Sequence, residues 1–289
     1  MITGTTKLLG VIGDPVEHSL SPVMHNRAIA SLGIDYVYLP LPIKPKDLAV
    51  AIAGFEAIGL VGFNITIPHK QAIMPLLSEI SDIAQGVGAV NTVHRTDNGW
   101  WGTNTDVAGF ISPLQALKRD WSQTKVVILG YGGAARAVVV GCAQLGCTEI
   151  NVIGRSPQKL SQFQQSWENT ALPVSINIHQ PQQLPKLIPQ ADLLVNTTPV
   201  GMYSDLDQSP VDGATMQRLS AKAIAYDLIY TPSPTKFLQQ AQQQGAFTLD
   251  GLEMLVQQGA AALEIWLGQT PPVDIMRQSL QEQLQGNGK

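Results

Sequence analysis

The stretch GFNITIPHK, residues 62–70, places Lys70 directly after an apolar alternation and a proline. Ile65 and Ile67 alternate with Asn64, Thr66 and Pro68, which reads as a short strand ended by a residue that cannot donate to a ladder. A lysine at a strand end is ordinarily a solvated charge. Here Asn64, Thr66 and His69 crowd hydrogen-bonding groups into the same few residues. HSLSP adds Ser19 and Ser21 just ahead of a helical pattern, where hydroxyls and free backbone N–H groups make an anion pocket. Taken alone, Ser21 reads as an N-cap, with Pro22 at the first helical position. GAVNT contributes Asn91, and GTNTD contributes Asn104 and Asp106. Each of these groups ends a strand-like run. In open α/β sheets the strand ends along one edge form the ligand crevice, so the groups are expected to converge.

A second chemistry is written in VVILGYGGAAR, where Gly130, Tyr131, Gly132, Gly133 and Ala134 follow a strand pattern and open a helix pattern. Glycines in that context permit a tight turn and let backbone N–H groups approach a pyrophosphate at the helix N-terminus. An NAD-binding version would carry an acidic residue at the end of the following strand, to hold the ribose 2′-hydroxyl. This chain has Glu149 at the start of that strand and ends it VIGRSPQK, with Arg155, Ser156 and Lys159 where a 2′-phosphate would lie. A guanidinium fork and an ammonium suit that dianion, so NADP is the expected cofactor.

The elements that would position these groups alternate along the chain. LLGVIG, DYVYLPLPI and GFNITI read as strands; helices are expected over 21–33, 45–59 and 68–84. Residues 89–106 read as a hairpin turning at Asp97, Asn98 and Gly99. After a helix over 106–117, a second strand–helix series starts at Thr124 and runs through EINVIGR, residues 174–178, ADLLVNTTPVGM and AIAYDLIY, with helical segments at 253–266 and 272–285. Repeated strand–helix units imply mostly parallel sheets. The fold class expected is α/β in two domains. An N-terminal α/β substrate domain, residues 1–106, is completed by C-terminal helices over 252–289. A Rossmann-type doubly wound dinucleotide domain spans 107–251, with a cleft and two hinge crossings, near Asp106 and Gly251, between the two.

Composition narrows the field. The chain has 289 residues, 44% hydrophobic and 14% charged, and a net charge of −4. That profile is globular and disfavours a nucleic-acid or anionic-membrane partner. Two cysteines, Cys142 and Cys147, make no disulfide framework, and the N-terminus lacks a secretory pattern, so a cytoplasmic location is expected. Residues 126–146 are apolar enough to suggest a membrane span, but three glycines and an arginine in their middle argue for strand, turn and buried helix. His18, His25, His69, His94 and His179 show no metal-ligand spacing, so no metal is expected.

DPVEHSLSPVMHN, NITIPHK, GAVNT, GTNTDVAGF, GYGGAARA, NTTPVGM, YDLIYTPSPTKFL and DGLEMLVQQGA, in this order from about Gly10 to Gly268, resemble the shikimate dehydrogenase family. The resemblance implies NADP-linked, reversible reduction of 3-dehydroshikimate to shikimate in aromatic amino-acid biosynthesis. It makes Ser19 and Ser21 contacts of the substrate carboxylate, and gives Asn64, Thr66, Lys70, Asn91 and Asp106 the ring hydroxyls and the reacting oxygen. Tyr230 and Gln258 would complete the pocket. Gly130 to Ala134 would cradle the pyrophosphate, the turn from Gly154 to Lys159 the adenosine phosphate, and Leu228 and Gly251 would lie near the nicotinamide; Asp82 is a further cofactor-side candidate. A ketone accepting hydride needs positive charge and a proton at its oxygen, and Lys70 with Asp106 fits as the pair supplying them, either one being the donor. Two positions depart from the family pattern: Tyr131 replaces a small residue of the glycine loop, and Gly154 replaces the asparagine of an Asn-Arg-Thr turn. A quinate-using relative with NAD and a non-catalytic NADP-binding module are the rival readings. The retained serines and the missing acid count against the first, and the presence of Lys70 and Asp106 against the second. The oligomeric expectation is a monomer or homodimer.

Overall fold

The computed structural model describes residues 2–286 apart from 169, 171, 203 and 204. The chain divides into two compact units, Met1–Gly109 with Leu255–Lys289, and Phe110–Met254. The first half of the chain runs through β1 (Lys7–Gly13), α1 (Ser21–Leu32), β2 (Tyr36–Pro42), α2 (Leu48–Ala57), β3 (Gly62–Ile65), β4 (Glu79–Ile80), α3 (Asp82–Val87), β5 (Thr92–Thr96), β6 (Gly99–Thr103) and α4 (Asp106–Gln115). It continues through β7 (Lys125–Leu129), α5 (Gly133–Gln144), β8 (Glu149–Ile153), α6 (Pro157–Gln165), β9 (Ser175–His179), α7 (Leu184–Leu187), β10 (Leu193–Asn196), α8 (Gly213–Met216), β11 (Ile224–Asp227), α9 (Lys236–Gln243) and β12 (Phe247–Leu249). Helices α10 (Leu252–Leu267) and α11 (Val273–Gly286) close the chain.

The first unit holds a mixed sheet in the order β2-β1-β3-β5-β6-β4. β1 pairs in parallel with β2 and β3, whereas β3, β5 and β6 pair antiparallel, with β4 parallel to β6 at the edge. The register sets Asn64 opposite Thr92, and Thr92 opposite Thr103, so polar side chains from three strands meet at one level. Trp266 of α10 crosses this sheet at Gly62, where a Cβ would run into its indole, and the indole Nε1 donates to the Val93 carbonyl at 2.9 Å. Gly62→Ala is therefore expected to cost about 2 kcal/mol through overpacking. Urea unfolding would read this as a lowered midpoint, and an unchanged midpoint would show that the indole shifts freely.

Two expectations need correction. No helix spans 68–84; the segment makes turns, a 3₁₀ turn at Met74–Leu76, strand β4 and the short α3. Pro75 cannot donate to a helical ladder, Val90 N–H captures the Lys70 carbonyl at 2.8 Å, and the Ser81 side chain caps α3 from the Ala84 N–H. Ser21 is not an N-cap either, since the cap is Leu20 and Ser21 begins α1.

The second unit holds a parallel sheet in the order β12-β11-β10-β7-β8-β9. Numbered within the unit, this is the doubly wound order 3-2-1-4-5-6, whose topological switch lies between β7 and β10. β7, β8 and β10 are near-continuous apolar runs because both sheet faces are covered. One side is covered by a core of Leu129, Leu194, Ala225, Phe237 and Leu238, among others. Phe110 stacks on Tyr226 with ring centroids 5.2 Å apart. Among the described residues no helix is long and apolar enough to cross a membrane.

Candidate active site

In the first unit, Lys70 Nζ donates to Asp106 Oδ2 at 2.6 Å, with side-chain exposures of 19% and 9%. Lys70 follows the turn after β3, and Asp106 is the first residue of α4, fixed by the Asn104 side chain accepting from its N–H at 3.0 Å. Asn91 Nδ2 donates to the other carboxylate oxygen, Oδ1, at 2.8 Å, so each oxygen of Asp106 has its own donor. Asn91 Oδ1 accepts from the Thr105 N–H at 2.7 Å and from the Thr92 hydroxyl at 3.0 Å. Asn64 Nδ2 donates to the Asn91 carbonyl and to Thr92 Oγ1, while its Oδ1 accepts from the Tyr38 hydroxyl at 2.7 Å.

One hydrogen-bonded chain thus links Tyr38, Asn64, Asn91, Asp106 and Lys70. Asn64 and Asn91 are buried and direct their amides inward. The donors this chain leaves are the remaining ammonium protons of Lys70, and half-buried Thr66 and Ser19 stand at the ends of the neighbouring strand and loop. The Thr66 methyl lies against Gly13 at the end of β1, and Ser19 Oγ accepts from the Ser21 N–H at 3.3 Å. Gln258 sits on α10, donating to the Leu255 carbonyl at 2.8 Å, beside Gly259, which packs on Met24 of α1. Asp82 is exposed at the start of α3 in this same unit, whereas every other cofactor-side candidate lies in the second.

Tyr38, Thr92 and Thr105 were missed by the sequence reading, and they tie the cluster together. Tyr38 reads as an ordinary apolar strand position in DYVYLPLPI, and its exposure is 1%. His25 stacks on it at 4.2 Å between centroids, and burial holds that imidazole neutral, lowering its pKa to about 3. The signal available was a tyrosine on β2, separated from the asparagine of β3 by β1, and it is visible only once the register of β1 with β2 and β3 is known.

In the second unit, Gly130 leaves β7 with φ +109°, a conformation that favours glycine, and a Cβ there would meet Thr197 Oγ1 at 2.5 Å. Gly132 is the N-cap residue of α5, Gly133 its first residue and Ala134 its second, and no side chain caps this helix, so its first N–H groups are available to an anion. The Gly130 N–H donates to the Ile153 carbonyl at 2.9 Å, joining the loop to the end of β8. There Gly154 is buried, Arg155 and Lys159 are exposed, and Ser156 caps α6 by accepting from the Lys159 N–H. Leu228 and Gly251 are in contact, a Cβ at 251 being excluded by the Leu228 carbonyl, and the Gly251 N–H donates to the Ile229 carbonyl at 3.0 Å. Tyr230, half-buried, follows in the same segment.

That segment is anchored by Asp227, fully buried at the end of β11. It accepts from Thr235 Oγ1 at 2.6 Å, Asn196 Nδ2 at 3.0 Å and the Ile229 N–H at 3.1 Å. Burial nevertheless raises its pKa from 3.8 to about 6, against the pull of those donors. A folded-state value above the unfolded one means that the stabilised form is the protonated one. Its contribution is complete below about pH 4 and is lost as pH rises through about 6. Between those limits the wild type should lose about 3 kcal/mol relative to Asp227→Asn, measured by urea unfolding across pH. Parallel profiles for the two proteins would refute the assignment.

A doubly wound sheet with an uncapped glycine loop at its switch point, joined in one chain to an α/β unit carrying a half-buried lysine–aspartate pair, defines a dinucleotide-binding protein of the two-unit α/β class. Residues 11–93 match the shikimate dehydrogenase substrate binding domain, 114–254 the shikimate/quinate 5-dehydrogenase domain, and 251–281 the shikimate 5′-dehydrogenase C-terminal domain. A shikimate dehydrogenase (NADP(+)) of Trichormus variabilis is 64% identical over 286 residues, covering 98% of this chain and 99% of that protein. The crystal structure of shikimate 5-dehydrogenase from Listeria monocytogenes in complex with shikimate and NAD superposes with a TM-score of 0.87 at 36% identity, covering 96% and 98% of the two chains. That of the Thermus thermophilus enzyme with NADP(H) and shikimate gives 0.83 at 32%, covering 96% and 99%. The chain belongs to the shikimate dehydrogenase family.

Proposed function

We propose that this chain catalyses the reversible, NADPH-linked reduction of 3-dehydroshikimate to shikimate, a step of aromatic amino-acid biosynthesis. The observation that carries this reading is the Lys70–Asp106 pair at 2.6 Å, held by Asn91 among the polar strand ends of the first unit in a member of this family. NADPH supplies the hydride when bound. In the direction of reduction, negative charge develops on the ketone oxygen, and the Lys70 ammonium meets it with a positive charge and a proton. Asp106 orients that ammonium and accepts from a ring hydroxyl; it is the alternative proton donor.

Ser19 and Ser21 bind the carboxylate in this reading, Thr66 a ring hydroxyl, and Asn64 and Asn91 keep the network in register. Tyr230 and Gln258 complete the substrate contacts. On the cofactor side, the N–H groups from Gly130 to Ala134 take the pyrophosphate, and Arg155, Ser156 and Lys159 the 2′-phosphate. Leu228 and Gly251 serve the nicotinamide, and Asp82 is a remaining candidate. The uncapped α5 N-terminus and the two exposed cations after β8 fit the charge of NADP. No nucleic-acid or membrane partner, a cytoplasmic location and a monomeric or homodimeric state belong to the same proposal.

The Listeria monocytogenes relative, seen with NAD, keeps the quinate or NAD reading as a second arm of the test. Nicotinamide reduction, followed by its near-ultraviolet absorbance, is measured with shikimate or quinate, each against NADP⁺ and NAD⁺. Turnover concentrated in the shikimate and NADP⁺ pair is the expected result. Preference for quinate or NAD⁺ overturns the specificity, and no turnover with any pair overturns the activity.

A further inference from the structure

Tyr131 of the glycine loop and Gly154 at the end of β8 lie against each other. A Cβ built on Gly154 would run into Cδ1 and Cε1 of the Tyr131 ring and come within 2.9 Å of Leu160 Cδ2. Gly154 does not sit in the left-handed region, so packing rather than backbone conformation keeps a side chain out of position 154. Gly154 is buried beneath the ring, and Tyr131 itself is only half-buried. Part of Tyr131 is therefore open to solvent, between the glycine loop and the turn that begins at Arg155. Both pieces of backbone are pinned, the loop by Gly130 N–H to the Ile153 carbonyl and the turn by Gly154 N–H to the His179 carbonyl at 3.1 Å.

We propose that Tyr131 is the adenosine platform of the dinucleotide site, its ring filling the place that a side chain at 154 would occupy and offering its exposed face to the adenosine. This rests on the dinucleotide reading above and adds a contact that does not involve the 2′-phosphate. An aromatic face beside an adenosine contributes stacking, which is indifferent to that phosphate, whereas Arg155 and Lys159 act on the phosphate alone. Tyr131 and Gly154 form a unit: one supplies the ring, and the other must be small to receive it.

The test is a double-mutant cycle on the full chain, read by calorimetric binding of NADP⁺, NAD⁺ and adenosine 2′,5′-bisphosphate. Tyr131→Ala is expected to weaken all three by about tenfold, and in the same proportion, the size of one lost stacking contact. Tyr131→Phe keeps the ring and is expected to bind within about twofold of wild type, which separates loss of the platform from a folding defect. Gly154→Asn should weaken binding by displacing the ring, and Tyr131→Ala combined with Gly154→Asn should bind no more weakly than Tyr131→Ala alone, since no ring is left to displace. A loss confined to NADP⁺ and the bisphosphate would overturn the proposal, since the ring would then act only through Arg155. Additive losses in the double variant would overturn it too. Failure of the unmutated protein to bind any of the three would instead remove the dinucleotide reading itself, and the proposal with it.

Discussion

Lys70→Met is expected to lower kcat by about 10³-fold while the KM for shikimate moves by less than about fivefold. The size is that of a side chain acting on the proton and charge of the reacting oxygen, for which losses of about 10²–10⁴ are typical. The geometry supports this because Lys70 is placed by its partner, 2.6 Å away, while its other ammonium protons stay free of the cluster's hydrogen-bonded chain. Methionine keeps the length and the apolar stem but leaves Asp106 with Asn91 as its side-chain donor. Steady-state kinetics at saturating cofactor, with circular dichroism to confirm the fold, separate the outcomes. A raised KM at unchanged kcat would make Lys70 a binding group and remove the proton-transfer role.

Arg155→Glu is expected to reduce kcat/KM for NADP⁺ by about 10³-fold and to leave NAD⁺ turnover within a few fold of its starting value. Loss of a charge-assisted fork accounts for about 2–3 kcal/mol and the new like-charge contact for the rest. Arg155 is exposed at the turn after β8, so the substitution disturbs no core. Equal losses for both cofactors would show that the turn, rather than the charge, had been altered, and no loss would leave Lys159 and Ser156 as the phosphate's partners.

The second unit was the more legible of the two. Its strands are buried on both faces and read as apolar runs, VVIL, INVI and LLVN, each followed by a turn residue with a specific job, such as Gly130. Short elements such as β12 and α8 escaped because a few residues carry no period. In the first unit the segment after Lys70 was misread because its apolar residues recur at helical spacing, while Pro75 and Ser81 had already divided it. The polar candidate residues are legible as types at strand ends, but their order of contact is not. That Asn64 turns toward Tyr38 and Thr92 depends on strand register, which no local pattern encodes.

The inward turn of Asn64 and Asn91 has a consequence for what a ligand meets on arrival. A carboxamide facing solvent would hold water and have to surrender it before gripping a hydroxyl. These two surrendered their water when the chain folded, and their dipoles are already aligned by Thr92, Thr105 and Tyr38. In the proposed site, the dehydration left for the binding step falls mainly on Lys70, Thr66 and the serine loop. Most of the work of organising the pocket is then done in folding, once, rather than in every catalytic cycle.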